Sequence, residues 1–281
     1  MLVQLTERRS GFTLIEILVV VTILAVLMAM TAGVVQKLRT AGEDIDCRKD
    51  LTELHKAVAA FAQSDRLGSV GYLPSRITVG PGADAASLSY LARLFPKTGG
   101  ILNVPPATLE GDQCLVFFLA GPHLSRNVNT TPDLLGWSSN ATNPLAPGGE
   151  RITFYEFRPN RLKDVHGNGY YSYLDRWNEV PIAYFSSYSR GPDRYIPGQY
   201  AGDCTSLPHG PVGGVPTLTG LSAYLNNVNP DSYQLISAGR NRKFGQSGGL
   251  WQSGQGGATY PPGSDGYDDI SNFASFLLGG R

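Results

Sequence analysis

The chain opens with one long apolar segment that differs from everything after it. From Phe12 to Val35 the sequence has 24 residues and a single charged side chain, Glu16. At about 1.5 Å per residue, a helix of this length crosses a hydrocarbon layer of about 30 Å. The pattern predicts a transmembrane helix over residues 12–35, preceded by a basic leader over residues 1–11.

The apolar pattern changes after this segment and becomes one-sided. Apolar residues recur with the spacing of one helix face, at Leu51, Leu54, Val58, Phe61 and Ala62. Charged residues occupy the other side, at Lys49, Glu53, Lys56 and Asp65. We therefore predict that the helix continues as an amphipathic segment over residues 36–67, with Gly68 as the stop signal.

Residues 68–281 contain short hydrophobic runs separated by glycine and proline, which predicts a globular head with long loops. A short helix is predicted at Ala85–Leu94, where Leu88, Leu91 and Leu94 share one face. Four runs rich in aromatic and β-branched residues predict strands: Cys114–Leu119, Ile152–Phe157, Pro181–Phe185 and Tyr233–Ser237. The expected fold class is α+β, a long N-terminal helix packed against a small antiparallel sheet.

Composition and charge argue against two classes of function, nucleic-acid binding and a metal–thiolate or redox site. Basic and acidic residues both number 23, and charged residues make up only 16% of the chain. A nucleic-acid-binding protein needs a basic footprint, so no nucleic-acid partner is expected. The cysteines Cys47, Cys114 and Cys204 lack the CxxC spacing of a metal–thiolate or redox site. Outside the cytoplasm Cys114 and Cys204 could form a disulfide, and buried thiols are the alternative.

Two features around the apolar segment need an explanation. Arg8 and Arg9 precede it, and positive charges favour the cytoplasmic side, so the head is expected outside the cytoplasm. Glu16 places a carboxylate at membrane depth, where an unpaired charge is costly and a partner is expected. An ordinary secretory signal does not fit, because the apolar stretch is too long and contains an acid. An acid near the membrane surface is the simpler alternative.

The residues around Glu16 match a known processing signal. The string from Arg8 to Glu16, RRSGFTLIE, resembles the class III leader of type IV prepilins and type II secretion pseudopilins. In that family the leader ends in glycine, the mature chain starts with phenylalanine, and its fifth residue is glutamate. The resemblance implies that a membrane aspartyl peptidase cuts between Gly11 and Phe12 and methylates the new amine. The ammonium of Phe12 and the carboxylate of Glu16 then neutralise one another, within one chain or between neighbours.

A second resemblance lies near the C-terminus. Leu235–Gly245 and Asp265–Ile270 look like the terminal strand and loop of the major pseudopilin, where an acidic segment holds calcium. The resemblance implies a calcium site with oxygen ligands from Asn241, Asp265, Asp268 and Asp269. The sequence departs from that pattern at Asn241, where aspartate is usual, and by about twenty inserted residues; a solvated acidic turn is the alternative. Upstream, Trp177–Tyr184 resembles a turn and strand of the same heads, with Asn178 where glycine is usual.

No catalytic residues are predicted. Gly245–Gly249 satisfies the GxSxG pattern of serine hydrolases, but it lacks the strand, sharp turn and helix that this motif needs. The histidines His123, His166 and His209 lie in glycine- and proline-flanked sequence, so no acidic partner can be assigned to them.

The resemblance implies a structural protein and not an enzyme: a subunit of a type IV pilus or a type II secretion pseudopilus. Its implied partners are copies of itself or other pilins, prepilin peptidase, an inner-membrane assembly platform and membrane lipid. The chain is expected in the bacterial inner membrane as a single-pass protein with its head outside the cytoplasm, and afterwards in an extracytoplasmic filament. The alternative is a membrane-tethered binding or hydrolytic ectodomain that uses the prepilin export route without polymerising.

Overall fold

The structure, a computed structural model, consists of one long helix and a head of short elements. It describes residues 12–65, 67, 70–122, 134, 136–186, 232–245, 260–274 and 277–279. Within these ranges the α-helices are α1 (Leu14–Ala62), α2 (Ala85–Leu94) and α3 (Gly111–Ala120). Two single turns of 3₁₀ helix cover Pro96–Thr98 and Pro159–Arg161.

The strands are short and pair in antiparallel fashion, which confirms the α+β class. In the described ranges they form three pairs and one three-stranded sheet. The pairs are β1 (Ile77–Val79) with β2 (Ala107–Leu109), β3 (Trp137–Ser138) with β4 (Arg151–Ile152), and β5 (Leu162–Lys163) with β6 (Ser172–Tyr173). The three-stranded sheet has the order β7 (Ala183–Ser186), β8 (Tyr233–Ser237) and β9 (Ile270–Ser271).

The chain divides into two compact units, and α1 contributes to both. One unit ends at Ile45, and the other begins at Asp46. In the first unit every side chain from residue 12 to residue 39 is exposed. In the second unit the predicted apolar face of the helix is buried in the core, through Leu51, Leu54, Val58 and Phe61.

The strand predicted at Cys114–Leu119 is wrong, because these residues form α3. Every residue of α3 is buried, and the helix packs against β6 and β7. A helix that is apolar on all sides shows no 3.6-residue period, so its sequence is equally typical of a buried strand. Asp112 in the first turn is favourable for the helix dipole.

The strand predicted at Ile152–Phe157 is too long. Only Ile152 belongs to β4. The main-chain N–H groups of Phe154 and Tyr155 instead donate to the carbonyl oxygen of Leu119, at 2.8 and 3.3 Å. Leu119 lies in the last turn of α3, where carbonyl groups have no partner within the helix. The segment therefore closes the end of α3 instead of extending the sheet.

Helix α1 ends at Ala62 and not at residue 67, where the amphipathic segment was predicted to end. The other local predictions in the described ranges are confirmed, apart from small shifts of their ends. The helix at Ala85–Leu94 is present, and the side chain of Asp84 caps it by accepting a hydrogen bond from Ser87 N at 2.9 Å. The predicted strand at Tyr233–Ser237 is β8, which lies between β7 and β9. The strand predicted at Pro181–Phe185 begins two residues later, at Ala183.

Candidate processing and assembly site

Glu16 lies in the first turn of α1, where it forms a capping box with Thr13. Its carboxylate Oε2 accepts hydrogen bonds from Thr13 N and Thr13 Oγ1, both at 2.8 Å. In return the main-chain N–H of Glu16 donates to Thr13 Oγ1 at 3.3 Å. This arrangement satisfies two N–H groups that have no acceptor inside the helix.

Sequence reasoning did not assign a role to Thr13. The T-x-x-E spacing of Thr13 and Glu16, ahead of an apolar run, is the signal that could have found it. The Glu16 carboxylate therefore has local donors even before proteolysis creates an amine at Phe12. The other processing residue, Gly11, lies outside the described residues.

The helix that follows Glu16 presents an apolar surface along its N-terminal half. The side chains of residues 12–39 are exposed, and most of them are large and apolar. Within the described part of the chain, Leu14–Ala62 is the one helix long and apolar enough to cross a membrane. An apolar surface of this extent indicates burial in lipid or against other helices.

The N-terminal sequence matches a family model over the same stretch. Residues 7–32 match the prokaryotic N-terminal methylation motif, a range that includes Gly11, Phe12 and Glu16. The chain carries the signature of the type IV prepilin and pseudopilin family. Comparison with curated proteins and with solved structures found no match. The match thus covers the end of the predicted leader and the apolar start of α1, a helix long and apolar enough to anchor the chain in a membrane.

The residues predicted to bind calcium in this prepilin-like chain lie in two hydrogen-bonded segments. Asn241 N donates to Asp268 Oδ2 at 2.7 Å, and Asn241 Nδ2 donates to the carbonyl oxygen of Asp265 at 2.5 Å. Gly245 N donates to Asp269 Oδ2 at 3.0 Å. These bonds tie the segment after β8 to the segment before β9.

The donor chemistry of this loop fits calcium, since all four side chains offer hard oxygen atoms. The carboxylates of Asp268 and Asp269 each accept a main-chain hydrogen bond, and that of Asp265 lies 3.7 Å from Lys243 Nζ. Among the described residues, the carboxylates of Asp265, Asp268 and Asp269 do not form a cluster with all ligand atoms within 4.8 Å of one another. Calcium would therefore draw these side chains together.

The turn at Asn178 supports the resemblance that the sequence showed there. Asn178 has a φ of 61°, in the left-handed region where glycine and asparagine are the preferred residues. Its N–H donates to the carbonyl oxygen of Asp175 at 3.0 Å, which closes the turn. The neighbouring Glu179 Oε1 lies 2.8 Å from Arg242 Nη2, so this turn contacts the loop after β8.

The structure describes two of the three cysteines. Cys47 and Cys114 are both buried, while Cys204 lies outside the described residues, so the Cys114–Cys204 disulfide stays a prediction. Burial raises the pKa of the Cys47 thiol to about 11, which keeps it protonated at neutral pH.

The structure gives His166 an acidic partner that sequence reasoning missed. His166 Nε2 lies 2.9 Å from Asp112 Oδ2, in the first turn of α3. Burial lowers the pKa of His166, but the hydrogen bond and the charges of Asp112, Glu110 and Asp164 outweigh it, and the pKa is raised overall. His123, His209 and residues 246–249 of the GxSxG match lie outside the described residues.

Proposed function

We propose that this chain is a structural subunit of a type IV pilus or a type II secretion pseudopilus, processed by prepilin peptidase and assembled through α1. The proposal is supported by one observation above all. The exposed apolar half of α1 carries a single acid, Glu16, and the stretch that matches the methylation motif contains this acid and residues 12–32 of the helix. The role is structural and not catalytic, with the head outside the cytoplasm and the assembled chain in a filament.

The physical basis for assembly is the exposed apolar surface of α1. In the membrane, lipid covers residues 12–35. In a filament, the same residues pack against helices of other pilins, so the helix leaves one apolar environment for another. Helix packing then stabilises the filament, while extraction from lipid requires the inner-membrane assembly platform.

Proteolysis changes the surroundings of Glu16. Cleavage before Phe12 creates an ammonium group one residue away from Thr13, so a cation arises beside the capping box. A charge pair at membrane depth is far less costly than a lone carboxylate. If the ammonium belongs to a neighbouring chain, the pair also determines the axial register of the packed helices.

The experiment compares three variants of the full chain in a strain that assembles filaments. Glu16→Ala is expected to insert into the membrane as well as the wild type but to be absent from sheared filaments. Thr13→Val, which removes the capping hydroxyl and keeps the carboxylate, is expected to enter filaments. Glu53→Ala changes an acid of the amphipathic half and serves as the control. Filament incorporation of Glu16→Ala at the wild-type level would contradict the proposal.

We also propose that the loop formed by Asn241, Asp265, Asp268 and Asp269 holds calcium, which would join two segments that have few apolar side chains. Calcium is expected to raise the thermal midpoint of the full chain in detergent, and Asp268→Asn is expected to abolish this rise. An equal rise in wild type and variant would exclude Asp268 as a ligand.

A further inference from the structure

A second group of potential ligands lies where the start of α3 meets the loop 164–169. Glu110, Asp112 and His166 each offer one ligand atom, and these atoms all lie within 4.8 Å of one another. In the described part of the chain this is the one such group of three acidic, histidine or cysteine side chains. Sequence reasoning did not connect them, because Asp112 and His166 are 54 positions apart.

Asp112 has the environment of a metal ligand. Its side chain is completely buried, and Oδ2 contacts His166 Nε2 at 2.9 Å. Its second oxygen, Oδ1, has no hydrogen-bond partner among the residues that the structure describes. Leaving a buried carboxylate oxygen without a donor is costly, so a group beyond the described residues is needed to satisfy it.

The loop that carries His166 is held in place by other contacts. The carboxylate of Asp164 accepts hydrogen bonds from Asn168 N at 3.2 Å and Gly169 N at 2.8 Å. The side-chain amides of Gln113 and Asn168 form two reciprocal hydrogen bonds, at 2.8 and 3.2 Å. The bonds of Asp164 hold the loop in shape, and those between Gln113 and Asn168 fix it to α3. The position of His166 beside Asp112 is therefore held by several contacts.

We propose that Glu110, Asp112 and His166 bind one divalent transition-metal ion of the zinc class. An imidazole nitrogen with two carboxylates is a ligand set that Zn²⁺ accepts, whereas Ca²⁺ and Mg²⁺ prefer oxygen ligands alone. The ion satisfies Asp112 Oδ1 and takes the place of the proton between His166 and Asp112. Glu110 and His166 lie at the edge of the core, so water can supply the fourth ligand.

The dimensions of the cluster are compatible with this ion. Zinc–ligand distances of about 2.0–2.2 Å place tetrahedral ligand atoms roughly 3.4 Å apart. In the cluster, the ligand atoms of His166 and Asp112 are 2.9 Å apart, and no two ligand atoms are more than 4.8 Å apart. Side-chain movements of about 1 Å therefore close the site. The bound ion cross-links α3 to the loop 164–169 and is structural.

The test uses the full chain in detergent with Zn²⁺ as the probe. We expect saturable binding of Zn²⁺ to the wild type, accompanied by a rise in its thermal midpoint. Asp112→Asn and His166→Gln are each expected to weaken binding by at least about 100-fold. Glu53→Gln is the matched control, because it removes an exposed carboxylate outside both proposed metal sites, and it is expected to bind Zn²⁺ as the wild type does.

Three results would overturn the proposal: no saturable Zn²⁺ binding by the wild type, wild-type affinity in both cluster variants, or displacement of Zn²⁺ by equimolar Ca²⁺. If a variant fails to fold, as judged by near-ultraviolet circular dichroism, zinc-edge X-ray absorption of the loaded wild type decides instead. One imidazole nitrogen among oxygen ligands supports the site, and a thiolate or all-oxygen shell excludes it.

Discussion

Asp175 shows how burial alters a single residue of the head. Its side chain is fully buried, and Oδ1 accepts a hydrogen bond from Glu179 N at 3.3 Å. Oδ2 has no hydrogen-bond partner among the described residues. Burial raises the pKa of Asp175 to about 6, against an ordinary value of 3.8. The folded chain therefore binds this proton more tightly than the unfolded chain does.

This difference predicts a pH dependence of stability. Between about pH 4 and pH 6 the unfolded state has lost the Asp175 proton and the folded state still holds it. The free energy of unfolding therefore falls as pH rises through this window, by an upper figure of about 3 kcal/mol. Asp175→Asn, which keeps the Oδ1 acceptor, is expected to remove that part of the decline.

The measurement is urea unfolding of the full chain in detergent, followed by tryptophan fluorescence, at several pH values from 4 to 7. The difference in free energy between variant and wild type isolates Asp175 from the other titrating groups. A difference that does not change with pH would show that Asp175 does not titrate in this window.

A buried ion pair joins α1 to the 3₁₀ turn Pro159–Arg161, which directly precedes β5. Arg161 Nη1 donates to Asp50 Oδ2, and the two side chains are only 4% and 3% exposed. Arg161 Nε and Nη2 donate to the carbonyl oxygen of Leu174, at 2.9 and 2.6 Å. The guanidinium carbon lies 4.3 Å from the centre of the Tyr173 ring. Charge, hydrogen bonds and a cation–π contact thus hold the part of α1 around Asp50 in the core of the second unit.

Removing one partner of this pair is expected to be strongly destabilising. Arg161→Met leaves the Asp50 carboxylate buried with its main partner gone and should lower the free energy of unfolding by about 3–5 kcal/mol. Arg158→Met is the control, since Arg158 Nη2 lies 3.5 Å from Asp50 Oδ1 and its side chain is 54% exposed. It should cost less than about 1 kcal/mol.

Asp50→Asn, measured alone and together with Arg161→Met, completes a double-mutant cycle. Because the double variant no longer buries a lone charge, it is expected to be more stable than Arg161→Met. If the two changes were simply additive, the stabilising role of the ion pair would be refuted.

The whole molecule combines two units with opposite surfaces. The unit up to Ile45 exposes its apolar side chains throughout residues 12–39. The unit from Asp46 onward buries its apolar side chains in a core of its own. The exposed surface is explained when lipid or neighbouring helices cover it, which is the environment that the prepilin signature implies.

Processing at Gly11 would change the N-terminus of the whole chain. Gly11→Val is expected to leave the leader attached, so the intact mass of the chain from membranes should match the uncut sequence. Gly33→Ala is the matched control, since an added Cβ at Gly33 meets no atom within 4 Å, and it should be processed. A mature N-terminus at Phe12 in Gly11→Val would show that cleavage does not depend on this glycine.

Local patterns allowed much of the fold to be predicted. The spacing of Leu51, Leu54 and Val58 indicated the buried face of α1, and the strand β8 follows its predicted bounds. Helix α3 was missed because a run that is buried on all sides has no periodicity to detect. The T-x-x-E spacing of Thr13 and Glu16 is a local signal of the capping box, although no cap was predicted there.

The sequence by itself determined the parts whose physics is local along the chain: an apolar length sufficient to cross a membrane, the methylation motif around Glu16, and the helix and strand periods. Only the tertiary structure decided which distant side chains meet. Asp50 and Arg161 are 111 positions apart, and Asp112 and His166 are 54 apart. Such pairs leave no spacing rule in the sequence, because they are brought together by packing of the core and not by the geometry of one helix or strand.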